Sequence, residues 1–391
     1  MIQYYEIKEK YADSVLFFRM GDFYEMFDDD AHIAHKVLGI NITTRNKNAA
    51  EPIPLAGIPY HAKDKYLPVL VNAGYKVAIA EQVSDPKLKW IVKREVVRVV
   101  TPSTLNLEWE SFTNDEATSY IVSICEENWI YGISFLESSS WKWKTGILEN
   151  IEKLSWEIYK IAPKEVILEK KLFSHEKLGE ILEKKYSLNI YYFDTDKNYK
   201  EKLLSHFWVK NLEGFWIENK PLAIKSSTLL LEYLKTNQQS SLEHLNSISS
   251  ESFNDFLELD EATIRNLDLI YNIGTKSSTI GTLFWVLDNT KTPMGKRFLK
   301  DAIVNPLKDK EKITRRLDIT EEFLKNTQLL NNIREKLKYV ADLDNILTRL
   351  ALWRANPRDL LNLKRSLATI LEVIELIKKE GNPQLNTLLN I

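Results

Sequence analysis

Val15-Leu-Phe-Phe-Arg-Met-Gly-Asp-Phe-Tyr-Glu-Met-Phe27 is the stretch on which the reading of this chain turns. A β-branched and aromatic run meets Gly21-Asp22, a pair suited to the positive φ angles of a tight turn, and an alternating segment follows. The pattern predicts a hairpin-like corner. With residues 23 to 27 extended, side chains two apart share a face, so Phe23 and Glu25 point together while Tyr24 and Met26 point the other way. Taken alone, Phe23 reads as a core residue and Glu25 as a solvated charge beginning the next helix. An exposed Phe beside an exposed carboxylate is the alternative, and only the rest of the chain separates the two.

The length of 391 residues suggests about two to four domains, and 44% hydrophobic content is ample for their cores. Net charge is -2, so no overall basic field advertises nucleic acid and any such contact has to be local. A single cysteine, Cys125, excludes an internal disulfide framework and a cysteine-based zinc site. The amphipathic N-terminus lacks the apolar core of a signal peptide, and no apolar run reaches membrane-spanning length. A soluble, cytoplasmic protein is the expectation.

Residues 1 to 105 alternate short strands and helices, a small mixed α/β domain. Asp28-Asp-Asp30 supplies acids suited to a helix N-terminus, with Gly39 as its stop. Strands are expected at Ile40–Thr44, Ile53–Tyr60, Tyr75–Gln82 and Arg94–Thr101, and a helix at Ala62–Asn72. A polar linker occupies 106 to 114. A second α/β domain fills 115 to 240, with strands at Ser119–Cys125, Trp129–Leu136, Glu165–Leu168 and Leu188–Phe193 and helices over 150 to 161 and 175 to 185. Trp141 and Trp143 alternate with Lys142 and Lys144, which suits a base-stacking ribbon, although a strand half buried against a core is the commoner arrangement. From 241 to 391 the pattern is an all-α bundle with helices over 261–272, 279–288, 293–303, 309–325, 328–338, 342–352 and 357–379. Pro293 and Pro357 are helix-start signals. The chain stops at Ile391 without a polar closing tail, which suggests an incomplete last domain.

Catalytic signatures are missing. Gly274-Thr-Lys-Ser277 has the composition of a phosphate-binding loop but not its spacing, and Gly295-Lys-Arg297 falls inside a helical pattern. His32 and His35 near Asp28 and Asp29 have metal-ligand character, with a solvated helix face the plainer reading. Glu126, Glu127 and Glu137 do not converge on a nuclease site. These residues are expected to bind rather than to turn over a substrate, with no cofactor and no metal of their own.

Phe18-Arg-Met-Gly-Asp-Phe-Tyr-Glu-Met-Phe27 followed by an acidic helix resembles the mismatch-recognition domain of the MutS family of DNA mismatch-repair proteins. The likeness continues through Pro52-Ile-Pro-Leu-Ala-Gly-Ile-Pro-Tyr-His-Ala62, Val77-Ala-Ile-Ala-Glu-Gln82 and Arg98-Val-Val-Thr-Pro102. Leu259–Leu267, Leu287–Gly295, Asp344–Leu350 and Pro357-Arg-Asp359 are similar to the family's helical core. The middle of the chain is the weakest match: Ser138-Ser-Ser-Trp-Lys-Trp replaces the usual polar-Gly turn there.

The resemblance implies a mismatch-recognition domain, a connector domain with a ribonuclease-H-like fold, and the start of an all-α core and lever. Family members are ATPases that use ATP and Mg, dimerise through a C-terminal domain, bind double-stranded DNA with mismatches or small loops, and act with downstream repair proteins of the MutL type. The family's Phe-x-Glu motif falls on Phe23 and Glu25. It implies that Phe23 wedges at a mispair from the minor groove, where a poorly stacked pair is cheaper to unstack, and that Glu25 hydrogen-bonds the displaced base. Tyr24 then packs inward. Arg45, and Leu55 in a turn over Pro54–Gly57, are candidates for contacts to the DNA backbone or groove. A relative serving only interaction or recombination is the rival reading, and an autonomous hydrolase has no motif to rest on.

Overall fold

The computed structural model describes residues 1–45, 52–83, 92–102, 119–138, 140–194, 197–238, 242–272, 278–351, 355–380 and 382–389. The expected linker at 106–114 and the Gly274–Ser277 segment lie outside the described residues.

The first unit runs α1 (Ile2–Lys10), β1 (Ser14–Met20), β2 (Phe23–Phe27), α2 (Asp29–Leu38), β3 (Thr43–Arg45), β4 (Ile53–Pro59), α3 (Lys63–Asn72), β5 (Lys76–Gln82) and β6 (Arg94–Val100). Its described strands form one mixed sheet in the order β3-β4-β2-β1-β5-β6. The corner forms as the sequence predicts: Met20 pairs with Phe23, leaving Gly21-Asp22 as a two-residue loop. Only Gly21 takes a positive φ, +59°, so a Cβ there would be strained although nothing crowds it.

Two expectations in this unit need correction. Ile40–Thr44 is not a full strand, because pairing begins only at Thr43. Pro54–Gly57 is not a turn: it lies within β4, where Leu55 pairs with Phe27 and Gly57 with Glu25. Prolines fit there because Pro54 and Pro59 stand near the two ends of the strand. Asp30 also does more than complement a helix dipole. Buried, it accepts hydrogen bonds from Tyr4 Oη at 2.8 Å, Lys8 Nζ at 2.8 Å and the Leu16 amide at 3.0 Å, tying α1 to α2 and β1.

The two faces of this sheet are covered unequally. One carries Val15, Phe17, Tyr24, Met26, Ile58 and Val77 into a core closed by α2 and α3. The other buries Leu16, Phe18, Phe27 and Val99 around Tyr4 of α1. A nine-residue helix cannot span the whole face, and the end that holds Phe23 stays open.

The second unit contains β7 (Tyr120–Glu127), β8 (Ile130–Glu137), β9 (Trp143–Leu148), α4 (Ile151–Ile161), β10 (Glu165–Glu169), α5 (Glu176–Gly179) continuing as a wider-wound turn over Glu180–Lys185, β11 (Asn189–Phe193), α6 (Tyr199–Phe207), α7 (Pro221–Gln238) and β12 (Ser249–Ser250). The sheet order is β11-β10-β7-β8-β9-β12. α6 is an element the sequence reading lacked, and β12 extends the sheet past the expected boundary at 240. Asn128 and Trp129, both at positive φ, turn β7 into β8. Trp143 is buried, its indole N–H donating to Ser134 Oγ at 2.8 Å, so the Trp/Lys alternation is a core face and not a stacking ribbon. The Leu229, Leu230, Tyr233 and Leu234 stripe of α7 closes the core against Ile121 and Ile167.

Lys76 joins the two units. Its side chain is 6% exposed; Nζ meets Asp13 Oδ2 at 2.8 Å and sits 3.7 Å from the Tyr191 ring centroid and 5.2 Å from that of Tyr233. Desolvated cation–π contacts of this kind contribute about 2 kcal/mol, so Lys76→Ala should lower stability by about that much. Burial works against the charge on Asp13, yet Lys76 and Ser14 outweigh it and hold the carboxyl below its ordinary range. That share of the stability is present above the ordinary carboxylate range and is lost as the pH falls through the lowered value. Thermal unfolding at pH 7 and pH 3 checks this: the gap between wild type and Lys76→Ala should narrow in acid.

The remaining described elements are helical apart from an isolated bridge between Phe256 and Leu307. They are α8 (Glu261–Asn266), α9 (Leu283–Leu287), α10 (Pro293–Val304), α11 (Lys310–Lys325), α12 (Thr327–Leu337), α13 (Leu343–Ala351), α14 (Pro357–Glu380) and α15 (Pro383–Asn386). α10 starts as read, with Thr292 Oγ1 accepting from the Gly295 amide at 3.1 Å and Pro293 in the first turn. α8 and α9 are shorter than their periodicity suggests, α8 ending beside Asp268 at positive φ. Arg297 ties this region to the second sheet: its guanidinium bonds Asp342 at 2.7 and 2.9 Å and Asp344 at 2.9 Å, and lies 3.5 Å from Glu137 at the end of β8.

Candidate nucleic-acid interface

The alternation along β2 sorts its side chains. Tyr24 and Met26 enter the core under α2 and α3, and the Tyr24 hydroxyl donates to Glu81. Phe23, Glu25 and Phe27 face the other way, but only Phe27 lies under α1. Phe23, at the turn, is 48% exposed. The core reading of Phe23 therefore fails on exposure, and the reading of Glu25 as a helix-starting charge fails because it lies within a paired strand.

Glu25 is flanked by cations. Arg45, at the end of β3, reaches it with Nη1 3.3 Å from Oε2 and its guanidinium carbon 5.6 Å from the Phe27 ring centroid. Arg94, at the start of β6, donates through Nε to the Arg19 carbonyl at 2.6 Å and through Nη1 to the Val92 carbonyl at 2.9 Å. Its guanidinium carbon lies 5.1 Å from the centroid of Phe18, the residue paired with Glu25 across β1 and β2. Burial raises the Glu25 carboxyl above its ordinary value while Arg45 and Arg94 pull it back down, leaving it raised. The result is an exposed aromatic beside a partly desolvated carboxylate paired with Arg45.

Sequence reasoning placed Phe23, Glu25 and Arg45 on this surface and missed Arg94. The signal for Arg94 was the strand alternation that sets it on one face with Val96, but sharing a face with Glu25 required the pairing of β5 with β6 and of β5 with β1. Leu55 is on the same face, where its partly buried side chain packs into the Tyr4–Phe27 cluster. His35 Nδ1 lies 2.7 Å from the Ile40 carbonyl oxygen, and Asp28 accepts from Tyr5 Oη at 2.9 Å. Among the described residues no group of three or more His, Cys, Asp or Glu is placed to hold a metal, and no helix is long and apolar enough to cross a membrane.

Comparison with known proteins agrees with this organisation. The family profile for MutS domain I matches residues 1–108, that for MutS domain II residues 119–246, and that for MutS domain III residues 262–390. The DNA mismatch repair protein MutS of Methanococcoides burtonii is 39% identical over 403 aligned positions, which take in 100% of this chain and 44% of that protein. The MutS proteins of Halothermothrix orenii and Streptococcus agalactiae are 40% and 37% identical, covering 99% and 100% of this chain and 43% and 44% of their own lengths. The chain thus spans less than half the length of these curated relatives. With domains I, II and III matched in order along its length, the chain belongs to the MutS family and corresponds to the N-terminal portion of its members.

Proposed function

We propose that this chain recognises mismatched duplex DNA for mismatch repair, with Phe23 entering the minor groove at the mispair and Glu25 hydrogen-bonding the displaced base. The observation that carries this reading is the open end of the first sheet, where Phe23 stands 48% exposed on the same strand face as the Glu25 carboxylate, which pairs with Arg45. An aromatic wedge costs less to insert where stacking is already poor, and a carboxylate in the groove repels normal duplex unless a base donor is offered to it. Discrimination then arises from cost as well as from gain. Arg45 supplies a phosphate contact, and Leu55 supports the platform from within the α1 cluster.

In this reading the second unit is a ribonuclease-H-like connector, the helical region is an all-α core, and ATP and Mg belong to another part of the full-length protein. Dimerisation, MutL-type partners and a cytoplasmic location are carried by the same proposal. No residue of this chain is given a catalytic role. The rival reading, a relative kept for protein interaction alone, leaves the exposed Phe-Glu pair without a purpose.

The test is fluorescence anisotropy of the chain with a matched duplex, a G·T duplex and a duplex carrying a one-base loop at fixed salt. A mismatch preference of about tenfold or more, the scale of ~1–3 kcal/mol for one stacked base, supports recognition. Equal affinity for all three duplexes overturns it.

A further inference from the structure

We infer that Arg19 and Tyr60 are positioning residues of the recognition site, a clamp on the Gly21-Asp22 turn that presents Phe23 to the mispair already oriented. This rests on the reading of Phe23 as the wedge.

The turn has two carbonyls, and each of them is held. Arg19 Nε donates to the Gly21 carbonyl, and the Tyr60 amide donates to the Asp22 carbonyl at 2.9 Å. The two holders also touch each other: the Arg19 guanidinium carbon lies 3.8 Å from the Tyr60 ring centroid, a stacking distance for a planar cation on an aromatic face. A closed loop of contacts thus runs from β1 through the turn to the end of β4 and back. The base of the clamp is fixed as well, because the Arg19 carbonyl accepts from Arg94 Nε at 2.6 Å.

Clamp and wedge lie on opposite faces of the sheet. Arg19 pairs across β1 and β2 with Tyr24, whose ring enters the core under α2 and α3, whereas Phe23 pairs with Met20 and Pro59 on the other face. Arg19 and Tyr60 therefore act on Phe23 through the backbone that joins it to Asp22, and the wedge face stays clear for DNA. The need for such a device follows from exposure. Phe23 is 48% exposed, so packing gives its ring little direction, and Gly21, at positive φ, is the most permissive residue of the turn. A turn that moved freely would have to be ordered at every insertion, and mismatch affinity would fall by that ordering cost.

The experiment uses the full chain labelled with 15N-glycine, the Gly21 signal being assigned by its loss in Gly21→Asn, since asparagine accepts the left-handed conformation. Without DNA, Arg19→Met and Tyr60→Ala should each lower the heteronuclear 1H–15N NOE of Gly21. Tyr60→Phe, which keeps the ring under Arg19, should leave it at the wild-type value. In duplex binding, Arg19→Met and Tyr60→Ala should each reduce mismatch preference about 2- to 10-fold, the cost of ordering one freed side chain, with matched-duplex affinity and salt slope unchanged. The double variant should lose no more than the larger single loss, because either substitution opens the same loop of contacts. An unchanged Gly21 NOE in both single variants, losses that add in the double variant, or a salt slope lower by about one in Arg19→Met, the mark of a direct phosphate contact, overturns the assignment. If Arg19→Met does not fold, Tyr60→Ala against Tyr60→Phe decides by the same readings: a lowered NOE and reduced mismatch preference in Tyr60→Ala alone is the supporting result, and identical behaviour of the two is the contrary one. The NOE is read without DNA, so an absent mismatch preference in the wild type defeats the proposed function separately from the clamp.

Discussion

Phe23→Ala should abolish the preference for mismatched over matched duplex while leaving the fold intact. Stacking of one aromatic against a base contributes about 1–3 kcal/mol, so affinity for a G·T duplex should fall about 10- to 100-fold. Affinity for matched duplex, carried by phosphate contacts that do not involve Phe23, should scarcely change. Stability supplies the control. A surface side chain that is 48% exposed at a turn contributes little to the core, and its truncation should shift unfolding by no more than about 0.5 kcal/mol. A loss of mismatch preference accompanied by a large drop in melting temperature would mean that Phe23 serves packing, and equal discrimination by mutant and wild type would dispose of the wedge altogether.

The largest effect on stability is expected at Gly132, the third residue of β8, beneath α7. A Cβ built there would lie 2.2 Å from the Leu222 carbonyl oxygen and 2.6 Å from its carbon, both backbone atoms at the start of α7. No rotamer change relieves such a clash. Gly132→Ala therefore has to push α7 off the sheet, against a core that includes Leu222, Leu229, Leu230 and Tyr233. Overpacking ordinarily costs about 1–3 kcal/mol, and a rigid backbone neighbour puts this case at or above the upper end. Gly179, in a helical conformation with nothing within 4 Å of its would-be Cβ, is the matched control. Gly179→Ala should be neutral or stabilising by up to about 1 kcal/mol. Amide hydrogen exchange across β7, β8 and β9 distinguishes the two, with faster exchange expected only in Gly132→Ala.

Much of the fold is legible in local pattern. Gly21 makes the corner because a two-residue hairpin loop needs a positive φ; Gly39 stops α2 in the left-handed conformation; Thr292-Pro293 starts α10. Errors gathered where local and tertiary signals disagree. Pro54 and Gly57 read as punctuation, yet β4 absorbs them because Leu55, Ala56 and Ile58 pair with β2 and pack on both faces of the sheet. The amphipathic pattern of α6 went unread, although Leu203 packs against the α7 layer. The Trp141-Lys-Trp-Lys144 run left a base-stacking ribbon open beside the commoner half-buried strand, and burial of Trp141 and Trp143 selects the strand.

The candidate site divides in the same way. A strand's period of two is enough to say that Phe23 and Glu25 share a face and that Tyr24 does not, and the motifs along the chain are enough to say which family it belongs to. Those inferences depend only on neighbours in sequence. Tertiary structure alone decided that the face is open at Phe23 and closed at Phe27, because it depends on where a short α1 comes to rest. It also decided that Arg45 reaches Glu25, and that Lys76 lies against the stacked rings of Tyr191 and Tyr233. Each of these follows from strand order and domain docking, which bring together residues far apart in the chain, and no local periodicity encodes such distances.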